Sequence, residues 1–99
     1  MARFDVHAAP DGEGFLLDTQ ANLLSRLNTR VVVPLLPTDR APAAADRLNP
    51  RFEVHGQSVV MVTQFMAAVP VAELHGPVAS LEHRREEVLA AIDFLHQGW

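Results

Sequence analysis

The chain has 99 residues, enough for one hydrophobic core and too few for two, so we expect a single domain over residues 1–99. Apolar residues make up 48% and charged residues 20% of it, a composition typical of globular rather than disordered proteins. A net charge of −4 argues against a nucleic-acid-binding protein, and the lack of cysteine excludes disulfides and thiolate metal sites.

Neither a signal peptide nor a membrane span is predicted. Met1–Pro10 carries charge and lacks an apolar run, and no stretch approaches the roughly 18 apolar residues that cross a bilayer. We therefore expect a cytoplasmic protein.

The first third of the chain predicts three strands. Arg3–Ala8 alternates apolar and polar residues with the period of a half-buried strand, and the turn Ala9–Gly14 connects it to a second strand, Phe15–Asp18. Arg30–Leu36 is rich in β-branched residues and is the third strand. Pro34 within it has no N–H for a ladder, so we expect it at a sheet edge or a bulge.

The middle of the chain predicts a loop followed by a hairpin. Pro37–Pro50 holds three prolines and is expected to be a binding loop with one helical turn at Ala43–Leu48. Arg51–His55 and Ser58–Thr63 are predicted strands, joined by a turn at Gly56-Gln57.

The last third changes from the period of a strand to that of a helix. Val69–Leu74, with Pro70 near its start, is predicted as a strand, and a helix with Ser80 as N-cap follows. One helical face collects the apolar residues Leu81, Val88, Ile92, Leu95 and Trp99. These elements predict a mainly β protein, with a barrel-like sheet and a C-terminal α-helix packed on it.

No residue pattern predicts catalysis, a cofactor or a metal ion. The five histidines lack the H-x-x-x-H spacing of helical metal ligands, and no serine lies in a G-x-S-x-G motif. Gly12-Glu-Gly14 lacks the lysine of a phosphate loop. We therefore expect no catalytic residue, no cofactor and no metal site.

Two apolar features do not fit the predicted core. Phe94 lies about 140° from the apolar face of the helix, and His96–Trp99 ends with an aromatic residue. Leu23 and Leu24 are adjacent in a polar segment, so one of them faces outward if the segment is extended. Two interpretations stay open. Either Phe94 fills a second packing surface, such as a dimer seam, while Trp99 closes the core, or the helix end is an exposed binding patch.

Several runs, taken in order, resemble the CcdB family of toxins from bacterial toxin–antitoxin pairs. They are F-x-L-D-x-Q (Phe15 to Gln20), R-V-V-V-P-L-L (Arg30 to Leu36), M-A-A-V-P-V (Met66 to Val71), V-A-S-L-E-H-R (Val78 to Arg84), and a helix end with Ala91-Ile92 and Gly98. The likeness extends from Phe15 to Trp99 at family spacing, with a slightly shorter first hairpin.

The resemblance implies an SH3-like barrel with a C-terminal helix that forms a symmetric homodimer. It implies a non-enzymatic protein that binds the A subunit of DNA gyrase and traps the complex of gyrase with cleaved DNA. It also implies a CcdA-type antitoxin whose disordered tail folds on the toxin and removes it from gyrase. Direct binding of nucleic acid or membrane is not expected.

The resemblance also transfers two sets of binding residues. By position, the residues that face gyrase are Leu23, Leu24, Glu86, Ala90, Asp93, His96, Gln97, Gly98 and Trp99. The antitoxin groove of the family lies between the turn Ala9–Gly14 and the loop Thr38–Leu48. Its residues here are Asp11, Gly12, Arg40 and Arg47, of which the two arginines suit an acidic peptide.

The C-terminus departs from the family pattern. The best-known member ends in Phe-Trp-Gly-Ile, so the position of its key aromatic is Gln97 here, a tryptophan stands at Trp99, and Asp93 replaces an asparagine. Loss of a hot-spot aromatic costs about 2 kcal/mol or more. A weakened or inactive homologue that keeps antitoxin binding is therefore one alternative. Another is an endoribonuclease of the MazF/Kid group, which shares the fold, although the chain lacks that group's early G-x-x-x-x-x-R-P-V run.

Overall fold

The computed structural model describes residues 2–42 and 44–98, which form a nearly closed antiparallel barrel with one α-helix. The strands are β1 (Asp5–Ala8), β2 (Phe15–Asp18), β3 (Thr29–Pro37), β4 (Arg51–Val54), β5 (Gln57–Met61), β6 (Ala67–Pro70) and β7 (Ala79–Ser80). Helix α1 spans Arg85–Gln97, and 3-10 helices span Asn22–Leu24, Thr63–Phe65, Val71–Glu73 and Glu82–Arg84. The predicted class, a mainly β barrel with a C-terminal helix, is confirmed.

Strand β3 organises the barrel. The sheet order is β4-β5-β3-β2-β1-β7, and β6 also pairs with β3. One edge of β3 pairs with β2, and the other pairs first with β6, over Thr29–Val32, and then with β5, over Leu35–Pro37. Pro34 lies between these two pairings, where its missing N–H removes no ladder bond, and its carbonyl accepts from the Val62 N–H at 2.9 Å. Of the two predicted locations for Pro34, a sheet edge or a bulge, the edge is excluded because β3 is a central strand.

Contacts near the edge strands β4 and β7 connect the two ends of the sheet. His55 follows β4, and its ring Nε2 lies 2.6 Å from the carbonyl oxygen of Val78, which precedes β7. The Val78 N–H donates to the Val6 carbonyl at 2.7 Å, and the His55 ring stacks on Phe15 with centroids 6.4 Å apart. These contacts connect the ends of the sheet and close most of the barrel.

Both predicted hairpins form, one of them with a shifted turn. Strands β1 and β2 pair from Val6↔Leu17 to Ala8↔Phe15. The second turn consists of His55 and Gly56, at φ 53° and 76°, which are values of a type I′ turn. The predicted turn at Gly56-Gln57 was wrong by one residue, because histidine tolerates the left-handed conformation and Gln57 already pairs with Val54.

The predicted strand Val69–Leu74 is correct only at Val69 and Pro70, and its last four residues are not in a strand. Strand β6 ends at Pro70, opposite Thr29, the first residue of β3. The Val71 N–H then donates to the Asn28 carbonyl at 2.9 Å, and the chain enters a 3-10 helix. Pairing stops at Pro70 because Thr29 is the first residue of β3, so residues 71–74 have no partner there in spite of their β propensity.

Helix α1 begins later than predicted. The 3-10 turn Glu82–Arg84 precedes it, and Arg84 occupies the N-cap position. Ser80 belongs to β7, and its Oγ accepts from the Glu82 N–H at 3.1 Å, so its prediction as the helix N-cap was wrong. Gly98, at φ 80°, ends the helix by donating its N–H to the Phe94 carbonyl at 2.8 Å.

The core lies between the barrel and one face of α1. The helix buries Val88 and Ala91 against the barrel side chains Phe4, Val6, Leu17, Val33, Leu35, Phe52, Val54, Val59 and Met61. Of the predicted apolar face, Leu81 and Val88 are buried, Ile92 and Leu95 are half-buried, and Trp99 lies outside the described residues. The buried face is therefore centred nearer to Ala91 than predicted.

The loop between β3 and β4 contains a helical turn close to the predicted position. The N–H groups of Leu48 and Asn49 both donate to the Ala45 carbonyl, at 3.0 and 2.8 Å. The Asn49 side chain accepts from the Ala45 N–H and donates to the Met61 carbonyl, which ties the loop to β5. The predicted turn at Ala43–Leu48 is thus confirmed over residues 45–49, and Ala43 lies outside the described residues.

Candidate functional site

Exposed leucines project from the connection between β2 and β3, residues 21–28, which we call the leucine turn. Leu23 is 94% exposed, Leu24 48% and Leu27 50%. The segment contains a 3-10 helix and is not extended, so both Leu23 and Leu24 reach solvent. None of its residues is buried. Apolar side chains grouped on a turn that adds nothing to the core are typical of a contact surface.

A second set of predicted residues lies on the solvent side of α1. Glu86, Ala90, Asp93 and Gln97 recur at intervals of three and four residues, share one helical face, and are all exposed; we call them the outer strip. They lie opposite the buried Val88 and Ala91. His96 and Gly98, also predicted to face gyrase, are exposed at the helix end, and Trp99 lies outside the described residues. The outer strip is acidic, because two of its four residues carry a carboxylate and none carries a positive charge.

A buried ion pair joins the strands on either side of the leucine turn. Arg30 Nε donates to Asp18 Oδ2 at 2.7 Å, and the two side chains are 1% and 0% exposed. The other carboxylate oxygen, Oδ1, accepts from the Gln20 N–H at 3.0 Å. The pair fixes the end of β2 against the start of β3, and removal of either partner would leave the other charge buried alone.

Three of the four predicted antitoxin residues lie together at the first turn. Arg40 forms an ion pair with Glu13 at 3.2 Å, with both side chains more than half exposed. Asp11 Oδ1 accepts from the Glu13 N–H at 3.0 Å, and Gly12 takes φ 82° between them. A cavity of about 460 Å³ opens here, bounded by this turn, by Arg40 and by Gln57.

The fourth predicted antitoxin residue, Arg47, contacts the helix. Its guanidinium lies 4.7 Å from the centroid of the Phe94 ring, a cation–π geometry. Phe94 is half-buried, so it neither belongs to the core nor stands free in solvent. Arg47 also borders a small cavity with Glu87 and Ala90, which places it beside the outer strip.

One exposed ion pair shifts pKa values at the start of α1. Arg84 donates to Glu87 through Nε and Nη2, at 2.5 and 2.9 Å. This hydrogen bonding lowers the pKa of the Glu87 carboxyl and raises the pKa of Arg84. The Arg84 guanidinium also lies over the Phe52 ring at 4.9 Å, so the pair connects the helix to β4.

Sequence reasoning missed an aromatic residue beside the first turn. Phe65, 52% exposed, lines a largely apolar groove of about 350 Å³ with Phe15, Leu16, Pro34 and Leu36. The only signal in the sequence was an aromatic residue two positions after a predicted strand, which is equally typical of a core residue.

Two histidines have structural contacts. His7 is fully buried with Nδ1 2.6 Å from the His75 carbonyl oxygen, and His55 holds Val78 as described above. Among residues 2–42 and 44–98, no three His, Cys, Asp or Glu side chains group as metal ligands. Within the same residues, no helix has the length and apolar character needed to cross a membrane.

The chain matches a model of a known protein family. The family model for the CcdB protein matches residues 3–98, which covers all of the strands and α1.

Proposed function

The chain belongs to the CcdB family, and from this premise we propose that it binds the A subunit of DNA gyrase and traps the complex of gyrase with cleaved DNA. Members of this family are toxins of toxin–antitoxin pairs and act by binding rather than by catalysis. A toxin of this kind needs only a surface that fits one state of its target better than the others.

The observation that carries the proposal is the exposure of the leucine turn. Leu23, 94% exposed, is the most solvent-exposed large apolar residue in the described part of the chain. Buried leucine contributes about 1.5–3 kcal/mol to an apolar contact, so Leu23 and Leu24 together can anchor a partner. The outer strip and His96 would supply the polar rim that surrounds such an anchor.

The proposal includes a homodimer. A two-fold axis would present two copies of the leucine turn and of the outer strip, and a symmetric pair of surfaces suits a target that is itself a dimer. Static light scattering at micromolar concentration should give twice the monomer mass of 10.9 kDa. A monomer mass would contradict this part of the proposal.

The proposal also includes a CcdA-type antitoxin that binds at the first turn. Gly12 and Arg40 border one cavity there, and Asp11 borders the neighbouring apolar groove that contains Phe65. A disordered peptide can follow a groove of this size. Arg47 would be a separate contact of the antitoxin, at the helix. A peptide that reaches from Arg40 to Arg47 would approach the outer strip and thereby compete with gyrase.

A weakened toxin is the second candidate, and Gln97 favours it. Gln97 is an exposed polar residue at the position of the family's key aromatic, so the outer strip lacks an apolar anchor. Replacing Gln97 with Trp should then tighten gyrase binding by about tenfold or more. Unchanged affinity would mean that this position does not contact gyrase.

The proposed function is tested by titrating the purified protein into the purified gyrase A subunit. A variant with Leu23→Ala and Leu24→Ala should lose at least about tenfold in affinity, because two exposed anchors are removed. Val78→Ala is the matched control, since Val78 is 41% exposed and lies outside the leucine turn. Equal affinity of the double variant and the control would refute the proposed contact.

A further inference from the structure

The leucine turn has no side chain in the core, so something else must hold it in place. Its internal bonds are those of short turns: the Leu24 N–H donates to Ala21 and the Leu27 N–H to Leu24, at 2.9 and 3.2 Å. Hydrogen bonds at its two ends connect Asn22 to the Arg3 N–H and the Asn28 carbonyl to Val71. Neither of these bonds reaches Leu24.

The middle of the leucine turn is held by one buried side chain, Gln20. Gln20 is 6% exposed, and its Nε2 donates to the Leu24 carbonyl at 3.0 Å. Its Oε1 accepts from the Val31 N–H in β3 at 3.1 Å. A single amide therefore spans from β3 to the turn, and only the orientation with oxygen toward Val31 and nitrogen toward Leu24 satisfies both partners.

Gln20 is itself fixed by the barrel. Its backbone N–H donates to Asp18 Oδ1, and the other oxygen of that carboxylate binds the buried Arg30 guanidinium. A continuous series of short polar contacts thus extends from Arg30 through Asp18 and Gln20 to the Leu24 carbonyl. A side chain with so many of its groups engaged loses little further entropy when the turn binds a partner.

We propose that Gln20 is a positioning residue that presents Leu23 and Leu24 in a preorganised geometry for the partner. This inference rests on the proposed function, because it takes the leucine turn to be the surface that contacts gyrase. Gln20 itself does not touch the partner, and it acts through the Leu24 carbonyl.

Gln20→Glu tests the inference with nearly the same side-chain shape. The carboxylate still accepts from Val31 but has no donor for Leu24, so two oxygens face each other and the turn is released. Amide hydrogen exchange at Leu24 and Leu27 should accelerate about tenfold, while the Val62 amide, bonded to Pro34 in the sheet, keeps its rate. Unchanged exchange at Leu24 and Leu27 would overturn the inference, whether or not gyrase is the partner.

A double-mutant cycle separates positioning from general loss of structure. Gln20→Glu should weaken binding of the gyrase A subunit by about fivefold to tenfold, and should weaken it no further in the variant that already lacks Leu23 and Leu24. Gln64→Glu, the same charge change at an exposed side chain whose oxygen can still accept from Asn49, should leave affinity unchanged. Additive losses in the cycle would overturn the inference. If the variant with Leu23→Ala and Leu24→Ala binds as tightly as the parent, the proposed contact with gyrase is refuted instead. The exchange rates alone then test the role of Gln20.

Discussion

Replacement of Arg30 by Met should be among the most destabilising single changes in this barrel. Arg30 is 1% exposed and pairs with Asp18, which is 0% exposed, so the variant leaves a carboxylate buried without its cation. Breaking a buried pair in this way costs about 3–5 kcal/mol. A domain of this size has a total stability of about 5–15 kcal/mol, and each kcal/mol lowers Tm by about 4–8 °C. We therefore expect a drop in Tm of at least about 12 °C.

Urea unfolding followed by circular dichroism measures this cost, and a second variant identifies its cause. Asp18→Asn combined with Arg30→Met removes both charges while the Asn oxygen still accepts the Gln20 N–H. The double variant should regain more than half of the loss, because no buried charge remains unpaired. If Arg30→Met alone costs less than about 1 kcal/mol, the pair is not effectively buried and the reasoning fails.

Two further predictions concern the first turn and the start of the helix. Gly14→Ala should destabilise the fold by at least about 2 kcal/mol more than Gly12→Ala. Both glycines have positive φ, but an added Cβ at Gly14 would clash with the Leu35 carbonyl oxygen, whereas Gly12 has open space around it. Equal losses in thermal unfolding would contradict this. Glu87→Gln should reduce the loss of folding stability at acid pH. Hydrogen bonds from Arg84 lower the pKa of Glu87 in the folded state. The ionised Glu87 therefore stabilises the fold above its unfolded-state pKa, near 4.5, and this stabilisation is lost as pH falls through the folded-state pKa. The pair is largely solvated, so the effect should stay below about 1 kcal/mol between pH 7 and pH 3 in urea titrations, and a larger effect would indicate an additional partner.

Local patterns in the sequence predicted most of the barrel, and tertiary contacts decided the remainder. The alternation in β1 and β2 and the glycine-rich turn between them were sufficient for the first hairpin. The end of β6 was not predictable, because it depends on where β3 begins. The start of α1 was not predictable either, since Ser80 has the chemistry of an N-cap but is taken by pairing with β1.

The candidate site was predictable as a set of residues but not as an arrangement. The spacing of the outer strip follows from helical periodicity alone. The pairing of Arg40 with the first turn and of Arg47 with Phe94 depends on the path of the loop between β3 and β4, which no short-range pattern encodes. Gln20 was visible in the sequence only as the last residue of the F-x-L-D-x-Q run, since its burial depends on the turn that folds over it.

The most direct test of the central claim is the state of plasmid DNA after incubation with gyrase, ATP and this protein, followed by detergent and protease. If the protein holds gyrase on cleaved DNA, linear plasmid should accumulate with protein concentration, and the variant lacking Leu23 and Leu24 should produce much less. Plasmid that is supercoiled normally, with no linear product at saturating protein, would contradict the account.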